Sequence, residues 1–179
     1  MRRAITGDEF GEALLSFRRR AFRLELQDAY DEPAEREWFT RWLAGTADLP
    51  SQIPAFAGYY EWVAATAAEG RRIERVRIHS DPPTDYQRWE QWVSRWNVAA
   101  GESIHYLTRR QATAAGLLPG VGQDDWWLLD KSTLIIMRFD DQHRRVSNEL
   151  VTDADDIDRA LRWWDLAVRI ATGHNSVAA

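Results

Sequence analysis

The sequence predicts an α/β fold, a mixed β-sheet with helices packed on it, and three patterns carry that expectation. Residues 22–27 (FRLELQ) and 73–79 (IERVRIH) alternate apolar and polar side chains, the period of a strand. Tyr86, Trp89, Val93 and Trp96 recur at spacings of 3, 4 and 3, the period of a helix. Strand-like and helix-like segments interleave, which permits a parallel crossover from residues 73–79 through a helix to residues 103–107.

Taken in order, Phe10, Leu14 and Phe17 predict one or two short helices over residues 8–20. The strand at 22–27 then sets Phe22, Leu24 and Leu26 on one side. Residues 31–45 carry helix start and stop signals: Pro33 in the first turn, a stripe of Trp38, Phe39, Trp42 and Leu43, and Gly45 at the end. After a loop, DLPSQIP, a long helix is expected over residues 55–69, striped by Phe56, Tyr60, Val63 and Ala67 and stopped by Gly70.

In the strand at 73–79, Glu74, Val76 and Ile78 face one way, and Ile73, Arg75, Arg77 and His79 the other. The stretch DPPTDYQRWEQW follows: its prolines stop the strand, and Thr84 with Gln87 has the spacing of a capping box that starts the next helix. Gly101 ends that helix, and a short helix is expected at 111–117. Extended runs follow at 126–129, 133–139 and 144–151, the middle one (LIIM) apolar enough for a strand covered on both faces. Residues 140–142 form a hairpin turn. Asp153 caps a closing helix striped by Ile157, Leu161, Trp164 and Val168, and HNSVAA is a frayed tail. The expected organisation is a single domain of residues 1–179, with an N-terminal helical appendage over about 1–50 and an α/β core over about 51–172.

Composition narrows the functional classes. Hydrophobic residues make up 45% of the 179, enough for a sizeable core. Without cysteine there is no thiolate nucleophile, disulfide or cysteine-ligated metal. A net charge of −5 argues against direct nucleic-acid binding. No apolar run reaches a membrane span, and MRRAITGDEF has no signal-peptide core, so a cytoplasmic protein is expected. Ten tryptophans in so short a chain call for an explanation.

No catalytic motif with an HExxH, GxSxG, Walker or GxGxxG pattern is present, and GLLPGVGQ reads as a loop. Asp140, Asp141 and His143 fit a solvated turn better than a metal site, and Asp153, Asp155, Asp156 and Asp158 fit helix capping better than calcium. No metal or cofactor is expected.

The candidate ligand site is the strand–loop–helix junction: Arg75, Arg77, Asp85, Tyr86, Arg88, Trp127 and Asp130, with Trp89 beside them. Ligands bind beside such junctions in open α/β sheets. Arginines there can hold a carboxylate or phosphate while rings stack on a planar ligand. Alternatively, Arg75 or Arg77 pairs with Asp85 or Asp130, and Tyr86 and Trp89 belong to the core.

The strings FRRRAFRLELQDAY, EREWFTRWLAG, EGRRIERVRI, PPTDYQRWE, NVAAGESIHYL, DWWLLD and WWDLAV resemble an actinobacterial domain-of-unknown-function family, numbered six-eight-seven-nine. PPTDYQRWE with NVAAGE downstream is the most specific part. The resemblance implies a regulatory partnership with a helix-turn-helix protein, since members are often encoded beside one. The order helix, RVRI strand, helix, IHYL strand, WWLLD strand also resembles half of a phospholipase D-like domain. That chemistry needs His-x-Lys before the aspartate, and WWLLDK offers only Asp130. The expected function is thus a non-enzymatic regulatory or protein-binding module acting with a helix-turn-helix regulator and sensing a small anionic or aromatic effector. The alternative is a small enzyme using Asp85 or Asp130 with Tyr86 as an acid–base pair on a phosphate- or carboxylate-bearing substrate.

Overall fold

A computed structural model describes residues 1–175. Among the described residues, seven strands form one mixed sheet: β1 (Arg2–Ile5), β2 (Arg20–Glu25), β3 (Arg72–His79), β4 (Ser103–Thr108), β5 (Asp125–Leu129), β6 (Thr133–Phe139) and β7 (Arg145–Val151). Their order across the sheet is β1-β7-β6-β5-β2-β3-β4. The pairs β2/β3 and β3/β4 are parallel, and every other pair is antiparallel. The α/β class, the parallel crossover and the C-terminal hairpin are therefore as the sequence predicts.

In the same described residues, six α-helices cover the two faces: α1 (Gly7–Ser16), α2 (Arg36–Leu43), α3 (Pro54–Ala68), α4 (Asp85–Ala100), α5 (Arg109–Ala114) and α6 (Ala154–Asn175). On one face Phe22, Val76, Ile78, Trp126 and Leu134 pack against Ile157, Ala160, Trp164 and Ala167 of α6. On the other, Ala21, Ile73, Trp127, Ile135 and Met137 pack with Val63 of α3 and Phe17 at the end of α1. Successive strand side chains point to opposite faces. Leu134 therefore joins the first core and Ile135 and Met137 the second, which is why LIIM is apolar throughout.

The helix ends follow local chemistry. Thr84 Oγ1 accepts the Gln87 N–H and Gln87 Oε1 accepts the Thr84 N–H, both at 3.1 Å, closing the expected capping box on α4. Gly101 ends α4 at φ +112°, and a Cβ there would lie 2.8 Å from the Ala67 Cβ, so glycine lets α3 and α4 approach. Asp153 accepts the N–H groups of Asp155 and Asp156 at the start of α6.

One expectation is corrected. The first 50 residues are not a helical appendage: β1 closes one edge against β7, and β2 lies inside the sheet between β5 and β3. The run RRAI is too short to show a period, and its partner residues begin at Asn148, far beyond any local signal. The tail HNSVAA lies partly in residues 176–179, outside the described residues; His174 and Asn175 belong to α6.

Candidate functional site

A cavity of about 380 Å³ opens on the α3–α4 face of the sheet. Its floor comes from one face of four strands: Arg23 and Glu25 of β2, Arg75 and Arg77 of β3, Trp127 of β5 and Met137 of β6. Register brings them together, because Arg23 sits opposite both Arg75 and Trp127, and Glu25 opposite Arg77. Phe56, Tyr59 and Tyr60 of α3 form one wall, and Tyr86, Trp89, Glu90, Val93 and Asn97 of α4 another. Tyr30, Glu32 and Glu35, from the segment between β2 and α2, close it further, with Phe10 and Leu14 of α1. Aromatic walls around a few convergent polar groups are the usual make-up of a small-molecule site, and this volume falls within the usual range.

The floor is an ion-pair lattice. Arg75 donates to Glu102 at 2.5 Å, to Glu25 at 3.2 Å and to the Tyr59 hydroxyl at 2.7 Å. Asn97 donates to the other oxygen of Glu102 at 2.8 Å. Arg77 donates to Glu25 at 2.6 Å and to Ser94 at 2.8 Å, and pairs with Glu90 at 3.2 Å. Arg23 pairs with Glu25 at 3.0 Å, and its guanidinium lies 5.7 Å from the Tyr30 ring and 5.5 Å from the Trp127 ring. Behind it Asp125, fully buried, accepts the Leu26 N–H and the Tyr30 hydroxyl.

Opposite charges interleave. Glu25, Glu32, Glu35 and Glu90 line the cavity with Arg23, Arg75, Arg77 and Arg145, and Glu102 and Asp125 stand behind that lining. Burial pushes Glu25 up, but Arg23, Arg77 and Arg75 outweigh it and hold this carboxylate well below the usual range. Glu90 goes the other way. Burial, reinforced by Glu25 and Glu35, pushes it up to about 8 although Arg77 pulls it down. Burial likewise raises Asp125 to about 6, and raises Glu35, whose carboxylate accepts the Tyr86 hydroxyl at 2.6 Å. Two lining residues also keep a buried polar atom without a hydrogen-bond partner in the protein, Arg23 at Nε and Tyr60 at its hydroxyl.

Of the residues singled out in the sequence, the fold gathers Arg75, Arg77, Tyr86 and Trp127 around this cavity, with Trp89. Asp85, Arg88 and Asp130 lie outside its lining. Asp85 and Arg88 pair with each other on the exposed side of α4, and Arg88 also donates to the Pro83 carbonyl at 2.7 Å. Asp130, at φ +51°, accepts the N–H groups of Arg18, Arg19 and Arg20 at 2.7, 2.7 and 3.0 Å, which anchors the start of β2. The partners of Arg75 and Arg77 are Glu25, Glu90 and Glu102, and Tyr86 is bonded to Glu35. Sequence reading missed Arg23 and Glu25, although their signal was present: in FRLELQ they alternate with Phe22, Leu24 and Leu26 just as Arg75 and Arg77 alternate with Val76 and Ile78. Tyr30, Glu35 and Tyr59 had no such signal.

The family model described as "Domain of unknown function (DUF6879)" matches residues 8–179. The chain belongs to this family. The match takes in every cavity residue from Phe10 to Arg145, so the cavity lies wholly within the matched region. No curated protein matches the sequence. Among the described residues, no group of three or more His, Asp or Glu side chains gathers as a metal site, and no helix is long and apolar enough to cross a membrane.

Proposed function

We propose that this protein is a non-enzymatic regulatory module of the cytoplasm that binds a small molecule in the α3–α4 cavity and signals its occupancy to a helix-turn-helix regulator. The observation that carries the reading is the cavity: aromatic walls over a charged floor, with Glu90, raised to about 8, in its lining. The actinobacterial family resemblance supplies the regulator as partner. Arg88, exposed on the first turns of α4 whose inner side bears Tyr86 and Trp89, is the side chain proposed to meet it. Co-purification of the neighbouring regulator with wild type, Arg88→Ala and the cavity-filling Val93→Trp tests this. Loss of capture with Arg88→Ala and altered capture with Val93→Trp, both folded, support the proposal. Equal capture by all three overturns it.

A second reading rests on the Tyr86–Glu35 hydrogen bond, a carboxyl–phenol pair at the cavity wall with the composition of an acid–base couple. It takes the place of the Asp/Tyr pair expected from sequence, because Asp85 is held by Arg88 and Asp130 by the backbone of residues 18–20. Chemical change of a compound that binds the cavity, lost in Glu35→Gln, distinguishes this reading from the first.

A further inference from the structure

Resting on the reading of the cavity as a ligand site, we infer that its occupant is an aromatic organic cation, with aryl rings packed against its ring and an ammonium group set against Glu35 and Glu90. The charge inventory leads there. Arg23 pairs with Glu25 and keeps its Nε without a partner, and every nitrogen of Arg75 and of Arg77 has a partner inside the protein, so the charges of the floor largely answer one another. Glu35 is different. It is only partly buried, it lines the cavity, and among the described residues it forms no ion pair; its strong contact is the neutral Tyr86 hydroxyl.

The rings around Glu35 suit a cation as well. Tyr86 sits 5.9 Å from Tyr30 and 5.2 Å from Trp89, both at steep interplanar angles, so the wall presents ring faces as well as edges. Ring faces attract ammonium and guanidinium groups, as Arg23 already shows over Tyr30 and Trp127. The unpartnered Tyr60 hydroxyl adds an acceptor on the α3 side.

Proton balance supports the same conclusion. Glu90 is faced by Arg77 of β3, by Glu25 and Arg23 of β2, by Ser94 and Tyr86 of its own helix and by Glu35 of the preceding segment; Glu32 and Arg145 stand at the lining's edge. In that surrounding it keeps its proton up to about pH 8. An ammonium group supplies the positive charge that the proton otherwise supplies, so binding releases protons and strengthens as pH rises toward about 8.

Three indoles of matched shape test the inference by calorimetry at pH 7 and 8.5: tryptamine (cation), tryptophol (neutral) and indole-3-acetate (anion). The expected order is tryptamine first, by about tenfold or more over tryptophol, as for an added hydrogen bond to a charged group, with indole-3-acetate weakest. Tryptamine should bind more tightly at pH 8.5 than at pH 7. Glu35→Gln, checked for an unchanged melting temperature, should lose the preference and retain tryptophol binding. Tightest binding of indole-3-acetate, or equal binding of all three that ignores Glu35→Gln, overturns the cation assignment and leaves the cavity reading standing. If none of the three binds either protein, the cavity reading falls with it.

Discussion

Glu25 touches three guanidiniums from the interior strand β2, pairing with Arg23, Arg75 and Arg77 at 3.0, 3.2 and 2.6 Å. Removing one partner of a buried ionic network leaves charge without compensation, and Glu25→Ala should cost about 3–5 kcal/mol of stability in urea unfolding. Arg88→Ala, on an exposed pair, should change it by no more than about 0.5 kcal/mol. Glu90 makes a different, pH-dependent contribution. Its folded-state value near 8 lies above the ordinary 4.5, so the stability it provides is complete below about 4.5 and is lost as pH rises through about 8. Asp125, raised from 3.8 to about 6, acts in the same direction at lower pH. His79, lowered by burial and Arg77 to about 4, opposes both below 6.5. Between pH 6.5 and 8 Glu90 is the one of the three that titrates. Wild-type urea midpoints should therefore fall over that interval, while Glu90→Gln holds level; a wild-type midpoint that rises contradicts the assignment. At this scale the sequence showed Arg75 and Arg77 by their alternation with apolar residues. It hid their partners, because Glu25 and Glu102 come from other strands and loops that only the register brings near.

At the scale of elements, α6 and α4 make the clearest contrast. Trp164 of α6 stacks on Phe22 at 4.7 Å and meets Trp126 edge-on at 6.5 Å, within a purely apolar core. Trp164→Ala should cost about 3–5 kcal/mol, read as a lowered melting temperature and urea midpoint. Thr84→Ala, which opens the capping box of α4, should cost about 1 kcal/mol by the same measurements. The closing helix was legible because its stripe and its buried face agree: Ile157 and Trp164 are both core residues. In α4 they diverge. The apolar stripe ran Tyr86, Trp89, Val93, Trp96, but the buried face is Tyr86, Gln87, Trp89, Glu90, Ser94 and Asn97. Hydrophobic periodicity marks such positions as outward-facing, since it counts only the apolar groups. Glu90, Ser94 and Asn97 are buried because Arg77 and the Arg75–Glu102 pair lie beneath them and satisfy their polar atoms. A polar buried face on an otherwise amphipathic helix is thus the mark of the site.

Across the whole molecule, one face of the sheet is given to packing and the other to the cavity. The α6 face is lined by apolar residues, whereas the α3–α4 face places an ion-pair lattice at its centre between the apolar patches of Ile73 and Met137. The class, the crossover and the hairpin could be read from local periods. The placement of β2 between β5 and β3 could not, because strand order is set by pairings over long separations along the chain, and β2 is the strand that carries Arg23 and Glu25 into the site. The cavity between the sheet, α3 and α4 is proposed to bind a small molecule. The most direct test of that proposal is the melting temperature of wild type and of Val93→Trp, which fills the space beside Trp89, across one panel of small aromatic amines, alcohols and carboxylates. A ligand bound only by the folded state raises the melting temperature, by an amount that grows with the logarithm of its concentration above Kd. The expected result is a set of compounds, led by amines, that stabilise wild type and leave Val93→Trp unchanged. Equal stabilisation of both proteins, or stabilisation of neither by any member of the panel, contradicts the claim.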